Sequence, residues 1–158
     1  MKLNSKKYVI RLWAIFLIAG LSMVSVSSLS SAAGMKIGDS LNGGVIIYID
    51  GTGQHGLIAA KADMTGSTGK VEGFFNWYGA KVAANTFVDG YCDWVLPNKD
   101  QLNMIYIHRS SLGGTLETYY WSSSESEAAK AWAQDFSNGQ QIDGNKSNTG
   151  RVRPIRSF

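Results

Sequence analysis

The sequence is poor in cysteine, proline and histidine, with one, two and two of these residues among 158. A single cysteine excludes an intrachain disulfide, so the fold must rest on its hydrophobic core. Because Tyr91 and Trp94 flank Cys92, we expect this thiol to be buried rather than available for an intermolecular bond. One cysteine with His55 and His108 gives no metal-ligand spacing, which argues against a metal site built from these residues.

Catalytic signatures are missing as well. The serine run at residues 122–124 has no Gly-x-Ser-x-Gly elbow, and no triad of nucleophile, base and orienting group is evident. A Cys92–His108 dyad remains an alternative at this level, although a histidine near a helix C-terminus also complements the helix dipole. We therefore predict that the chain is not an enzyme and binds no cofactor.

A calcium site has weak support. Asp143, Asn145 and Asn148 place oxygen atoms within one polar segment, and Ca²⁺ prefers oxygen ligands. The sequence has no Glu-Pro-Asn or Trp-Asn-Asp run, the pattern of sugar-binding calcium lectins. We favour a hydrophilic turn here and predict no bound metal.

The first 33 residues have the pattern of a secretory signal. Four bases and no acid accompany an apolar run at residues 12–26, and a small-residue tract ending in Ser31-Ala32-Ala33 follows. The apolar run is shorter than the ~20 residues that a membrane-spanning helix needs. We favour cleavage before Gly34 over a retained anchor. The expectation is a secreted domain of residues 34–158, periplasmic or at the cell surface, with no membrane span after cleavage.

The charge of the remaining chain is nearly balanced. The first 33 residues hold four of the 15 bases and none of the 12 acids, so residues 34–158 carry a net charge of −1. This balance gives no global basic field and argues against a nucleic-acid partner.

The C-terminal segment has a local excess of positive charge. From residue 146 to residue 156 there are four bases and no acid: Lys146, Arg151, Arg153 and Arg156. Guanidinium groups pair well with sulfate and carboxylate oxygens, which predicts a site for an anionic glycan. Because Arg151 and Arg153 would share one face of a strand, the alternative is that they form internal ion pairs, for example with Asp93 or Glu125.

Local signals predict an α+β domain with a β-hairpin, two helices and then a β-meander. Asn98 with Gln101 three residues later has capping-box spacing, and Asn138-Gly139 is a strong hairpin signal. The predicted strands are residues 45–50, 57–60, 119–122, 131–136, 140–142 and 151–156, and the predicted helices are residues 77–85 and 98–109. Residues 65–73 and 143–150 are predicted loops.

Aromatic residues offer a second kind of binding surface. Rings that remain exposed can stack on sugar faces, whereas buried ones supply the core of a small domain. The candidates for exposed rings are Trp77, Tyr78, Tyr119 and Tyr120, and Trp77 and Tyr78 are the favoured pair. In contrast, we expect Trp94, Trp121 and Trp132 to be largely buried.

Four short blocks in the second half of the chain carry a family resemblance. They are Asp93–Asn98 with Gln101-Leu102, Tyr120–Glu125, Ala131-Trp132 with Phe136 and Gly139, and Lys146 with Arg151–Arg156. In this order they resemble the Lcl C-terminal-domain family, whose namesake is the C-terminal domain of a bacterial collagen-like adhesin. Val95 departs from the pattern, which usually has arginine there, and the sequence has no collagen-like Gly-x-y tract.

The resemblance implies a C-type-lectin-like fold, a secreted or surface location, and binding rather than catalysis. It implies recognition of a glycan or glycosaminoglycan, with a homotrimer as a further expectation. The alternative is a structural or assembly domain that binds a surface protein. Formylglycine-generating-type enzymes share this fold, but their oxidase chemistry uses paired cysteines, so an enzyme of that type is the least favoured.

Overall fold

Two helices and two small antiparallel sheets form the part of the chain that the structure describes. This computed structural model describes residues 34–66, 73–86, 90–113 and 118–158. The predicted signal segment and residues 67–72 of a predicted loop lie outside the described residues. The predicted α+β class is confirmed.

The elements follow one another as hairpin, helices and meander, as the sequence predicts. In chain order they are β1 (Ser40–Leu41), β2 (Gly44–Ile49), β3 (Gly56–Ala60), α1 (Trp77–Ala84), α2 (Lys99–Ile107), a short 3₁₀ turn (Arg109–Ser111), β4 (Tyr119–Glu127), β5 (Lys130–Asp135), β6 (Gln141–Asn145) and β7 (Ile155–Ser157).

The first sheet has the antiparallel order β1-β2-β3-β7. Its central hairpin turns at Asp50, whose carboxylate accepts hydrogen bonds from the backbone N–H groups of Thr52 and Gly53, each at 3.0 Å. Gly53 has a φ of +73°, which favours glycine at this position. The predicted hairpin is therefore confirmed.

The C-terminal segment joins the two sheets. Arg151 exchanges backbone hydrogen bonds with β4, donating to Tyr119 and accepting from Trp121, while β7 pairs with β3. The terminal strand therefore belongs to the sheet of the first hairpin, but the predicted strand at residues 151–156 is wrong in extent. Pro154 has no N–H to donate, and the regular strand runs only from Ile155 to Ser157.

The second sheet has the order β4-β5-β6, with a turn at Asn138-Gly139 in which Gly139 has a φ of +84°. Two predictions here are wrong in extent. β4 continues through the serines to Glu127, and β6 continues through residues 143–145, which were predicted as loop. Polar residues occupy these extensions because parts of both strands face solvent.

Both helices begin at an asparagine cap. The Asn76 side chain accepts from the Gly79 N–H at the start of α1, and Asn98 forms the complete predicted capping box with Gln101 at the start of α2. These caps satisfy backbone N–H groups that the first helical turn leaves without a partner.

Each helix covers one part of the core. Leu102 and Ile105 of α2 pack between strands of the two sheets, in a cluster that contains Val45, Ile47, Ala59, Tyr120, Phe136 and Ile155. α1 packs Trp77, Ala80 and Ala84 on a cluster that contains Leu96, Trp121, Ala131, Ala133 and Val152. On the other face of β2, Trp94 packs with Ile46 and Ile58 in a third core cluster.

Two burial predictions are wrong. Cys92 is exposed, because the extended segment around it buries Trp94 and Leu96 but not the thiol. Trp94 and Trp121 are buried, as predicted, but Trp132 is only partly buried and has the Lys99 ammonium 3.2 Å from its ring centroid. Within the described ranges, no helix is both long and apolar enough to cross a lipid bilayer.

Candidate functional site

The arginines at 151 and 153 converge on one buried carboxylate. Asp63, whose side chain is 2% exposed, accepts from Arg153 Nε at 2.6 Å and from Arg151 Nη1 at 3.2 Å. The Tyr120 hydroxyl donates to the same carboxylate at 2.7 Å. Burial, together with this hydrogen bond to Asp63, raises the pKa of Tyr120 far above its ordinary value. Arg153 also donates to the Ala60 carbonyl at 3.0 Å, so this cation is enclosed by its own fold.

Lys146 is also buried, contrary to the expectation of an exposed base. Its ammonium donates to the Glu125 carboxylate and, at 2.8 Å, to the Ala128 carbonyl, and it lies 4.5 Å from the Trp77 ring centroid. The hydrogen bond from Lys146 holds the pKa of Glu125 below its ordinary value.

Arg156 forms a bidentate ion pair with Asp93. Its Nε and Nη2 donate to the two carboxylate oxygens at 2.7 and 2.9 Å, and the guanidinium lies 3.9 Å from the Tyr91 ring centroid. These hydrogen bonds lower the pKa of Asp93. The four predicted bases therefore have three different carboxylate partners rather than forming one open cationic face.

The two favoured aromatic candidates differ in exposure. Trp77 is 2% exposed and donates its indole N–H to the Ser122 carbonyl at 2.8 Å, which makes it a core residue. Tyr78 is 60% exposed, and its ring meets Trp77 edge to face. Tyr78 lines an apolar groove beside α1 with Met64, Thr65, Phe75, Gly79, Val82, Ala83 and Thr86.

Metal chemistry has no geometric support in the described ranges. No group of three or more histidine, cysteine, aspartate or glutamate side chains there is placed to hold a metal ion. Asp143, from the calcium alternative, pairs instead with Lys130 at 3.0 Å.

A second depression, of about 250 Å³, opens on one face of the second sheet. Trp121, Ala133 and Ile142 are direct cross-strand partners on β4, β5 and β6, so they form a row across that face. Ala133, in the middle, is much smaller than its two neighbours and leaves a hollow between them. Tyr119 on β4 and residues 148–150 complete its lining. We call this depression the Trp121 pocket.

Two glycines hold the Trp121 pocket open. A Cβ atom on Gly150 would lie 3.1 Å from Trp121 Cδ1 and Nε1, and one on Gly144 would lie 3.3 Å from Trp121 Cη2. The Trp121 ring is fixed because its Nε1 donates to the Phe75 carbonyl at 2.9 Å. A larger residue at either glycine would displace this ring or fill the hollow.

Polar side chains line the rim of the Trp121 pocket. Asn148 and Thr149 are exposed, and neither side chain takes part in a hydrogen bond with the described part of the protein. Tyr119 is 45% exposed and offers the largest ring surface. Tyr119 was among the aromatic candidates and Asn148 was only a candidate calcium ligand. The local sequence does not predict the row formed by Trp121, Ala133 and Ile142, because that row depends on the register of three strands.

Family membership rests on one comparison. None of the curated proteins compared with this chain matches it. A family model described as the Lcl C-terminal domain matches residues 55–156, which is well over half of the chain and includes α1, α2 and the whole second sheet. The chain therefore belongs to the Lcl C-terminal domain family.

Proposed function

We propose that this chain is a secreted, non-catalytic carbohydrate-binding module with a C-type-lectin-like fold. The observation that carries the proposal is the Trp121 pocket, where the exposed ring of Tyr119 and exposed amide and hydroxyl groups lie around a depression lined by the buried Trp121. The tripartite N-terminal pattern of the sequence supports export, to the periplasm or the cell surface.

The chemistry of the Trp121 pocket suits a sugar. A sugar ring presents C–H groups on its faces, which pack on aromatic rings, and hydroxyl groups at its edge, which need hydrogen-bond partners. Tyr119 supplies the ring, and Asn148 and Thr149 supply donors and acceptors that have no other described partner. Binding of this kind needs no nucleophile or base, in agreement with the prediction that the chain is not an enzyme.

The four bases of the C-terminal segment, which the sequence analysis predicted as a glycan site, are already engaged in ion pairs. Lys146, Arg153 and Arg156 are held by Glu125, Asp63 and Asp93 respectively. Binding a sulfated chain through these groups would first require their ion pairs to open. Arg151 is the more accessible of the two cations that share Asp63, because its side chain is 19% exposed.

A glycan array tests the proposal with a matched pair of variants. Asn148→Ala with Thr149→Val removes the rim groups without touching the core, and we expect it to abolish the signals that the wild-type protein gives. Asn145→Ala with Ser147→Ala changes exposed neighbours outside the Trp121 pocket and should keep those signals. A wild-type protein that binds no glycan would refute the proposal.

An assembly domain is the second candidate, favoured by the surface of α1. Tyr78 and Val82 of α1 are 60% and 71% exposed and lie four residues apart, on one face of the helix. Exposed apolar residues grouped in this way are typical of protein contacts. On this hypothesis the wild-type protein forms a homotrimer or another defined complex in light scattering, and Tyr78→Ser with Val82→Ser dissociates it. A monomeric wild type that captures no partner would exclude it.

A further inference from the structure

We infer that the Trp121 pocket takes a single uncharged sugar ring and does not recognise sulfated or carboxylated glycans. This inference rests on the proposed function and narrows it to a class of ligand. The inferred sugar site is therefore different from the cationic C-terminal segment, which the sequence analysis predicted as the glycan site.

Among the residues that the structure describes, those that line the Trp121 pocket carry no charge. They are Tyr119, Trp121, Ala133, Ile142, Gly144, Asn148, Thr149 and Gly150. An anion placed against this lining would lose hydration without gaining a cationic partner, which is strongly unfavourable. A neutral ring loses much less, because its hydroxyl groups exchange water for the amide and hydroxyl groups of the rim.

The charged side chain directly across from Tyr119 is negative. Asp135 is the cross-strand partner of Tyr119. Hydrogen bonds from Ser137, then from Asn138 and Tyr119, hold the pKa of Asp135 below its ordinary value, so the carboxyl is ionised at neutral pH. Its charge opposes a sulfate or carboxylate near the Tyr119 side of the pocket.

Two nearby cations form ion pairs away from this pocket. Lys130 pairs with Asp143, which lies between Ile142 and Gly144 on β6 and therefore on the opposite face of the strand. The Arg151 side chain reaches Asp63 and lies 5.0 Å from the Phe74 ring centroid, although its backbone is next to Gly150. Neither cation lines the Trp121 pocket.

The size of the pocket limits the ligand to one ring. Its volume of about 250 Å³ is below the roughly 300–1,000 Å³ of pockets that enclose drug-sized ligands. Gly144 and Gly150 bring the backbone close to the ring of Trp121, which limits the space beside that ring.

Ligand-observed NMR tests this inference with defined probes. Glucose, galactose, mannose and N-acetylglucosamine are titrated singly, with heparin as the polyanionic probe, at low and high salt. At least one neutral sugar should bind the wild-type protein with an affinity that salt leaves unchanged, because no charge contact is involved. Asn148→Ala with Thr149→Val should weaken it by about tenfold or more. Asn145→Ala with Ser147→Ala should not.

The outcomes distinguish this inference from the proposed function. Binding of heparin alone, weakened by salt and unchanged in Asn148→Ala with Thr149→Val, would overturn the inference and leave carbohydrate binding intact at another site. Binding of a neutral sugar that is equally strong in both double variants would also overturn it. No binding of any probe, with a blank glycan array, would overturn both the inference and the proposed function.

Discussion

Asp63 is the residue on which the C-terminal segment depends. One carboxylate faces two guanidinium groups and a tyrosine hydroxyl, all drawn from residues at least 57 positions away in sequence. Asp63 is the described carboxylate partner of Arg153, which is 3% exposed, so neutralising Asp63 would remove that counter-charge from a buried cation. Breaking a buried ion pair by removing one partner typically costs about 3–5 kcal/mol.

We therefore expect Asp63→Asn to lower the free energy of unfolding by about 3–5 kcal/mol, measured by urea denaturation. Asp143→Asn is the matched control, since it removes a carboxylate from an exposed ion pair with Lys130 and should change stability little. Equal effects of the two substitutions would show that Asp63 is not a buried counter-ion.

Residue type alone could not assign the four C-terminal bases to their partners. The sequence pointed to Asp93 and Glu125 as internal acids, and both do bind bases, but those bases are Arg156 and Lys146 rather than Arg151 and Arg153. Asp63 gave no signal because it is 90 residues from Arg153 and lies between a strand and a predicted loop. Ion-pair partners depend on the folded chain, whereas a cluster of charges can be recognised in a short stretch of sequence.

At the scale of elements, α2 shows how much a local signal can establish. Asn98 Oδ1 accepts from the Gln101 N–H at 2.8 Å, and Gln101 Oε1 accepts from the Asn98 N–H at 2.9 Å. Both bonds are within four residues of sequence, so no tertiary contact is needed to predict them.

Asn98→Ala should lower stability by about 1 kcal/mol, because it leaves the Gln101 N–H without its cap. Asn98→Asp keeps an oxygen acceptor at the same position and should remain close to wild type. Thermal melts of the two variants check this prediction. If the alanine variant melts with the aspartate variant, the capping box contributes nothing measurable.

The strands of the second sheet were harder to delimit for a physical reason. Residues 123–127 of β4 include serine and glutamate, which favour turns or exposed positions, and their pairing with β5 is irregular. Ser122 is buried and donates its hydroxyl to the Trp132 carbonyl at 2.8 Å. This hydrogen bond gives the buried hydroxyl a partner within the sheet. Strand formation here comes from pairing, which outweighs weak intrinsic preference.

On the scale of the whole molecule, ionised carboxylates support the fold at neutral pH. Hydrogen bonds from cations, hydroxyls or backbone groups lower the pKa values of Asp50, Asp93, Glu125, Asp135 and Asp143. A carboxyl with a lower pKa in the folded state stabilises that state above its unfolded pKa, and the contribution is lost as pH falls.

Stability should therefore be nearly constant from neutral pH to about pH 5 and should fall as the pH drops through the ordinary values of 4.5 for glutamate and 3.8 for aspartate. Melting temperatures measured from pH 7 to about pH 3 check the direction. A melting temperature that rises on acidification would contradict the ion pairs described above.

The proposed binding site was predictable only in part. Tyr119 and Asn148 stood out individually, as an aromatic residue and as a polar loop residue. Nothing local placed them together, because the floor between them exists only when Trp121, Ala133 and Ile142 come into register across three strands. The family resemblance, by contrast, was readable from short blocks and is confirmed over residues 55–156.

The most direct test of the central claim is a protein-observed NMR titration with the neutral sugars named above. The indole N–H signal of Trp121 and the backbone amides of Gly144, Asn148 and Gly150 should shift together, because all four surround one pocket. Signals of Tyr78 and Val82 on α1 should stay fixed. Shifts confined to α1, or to Arg151 and the residues around Asp63, would contradict a sugar site at Trp121.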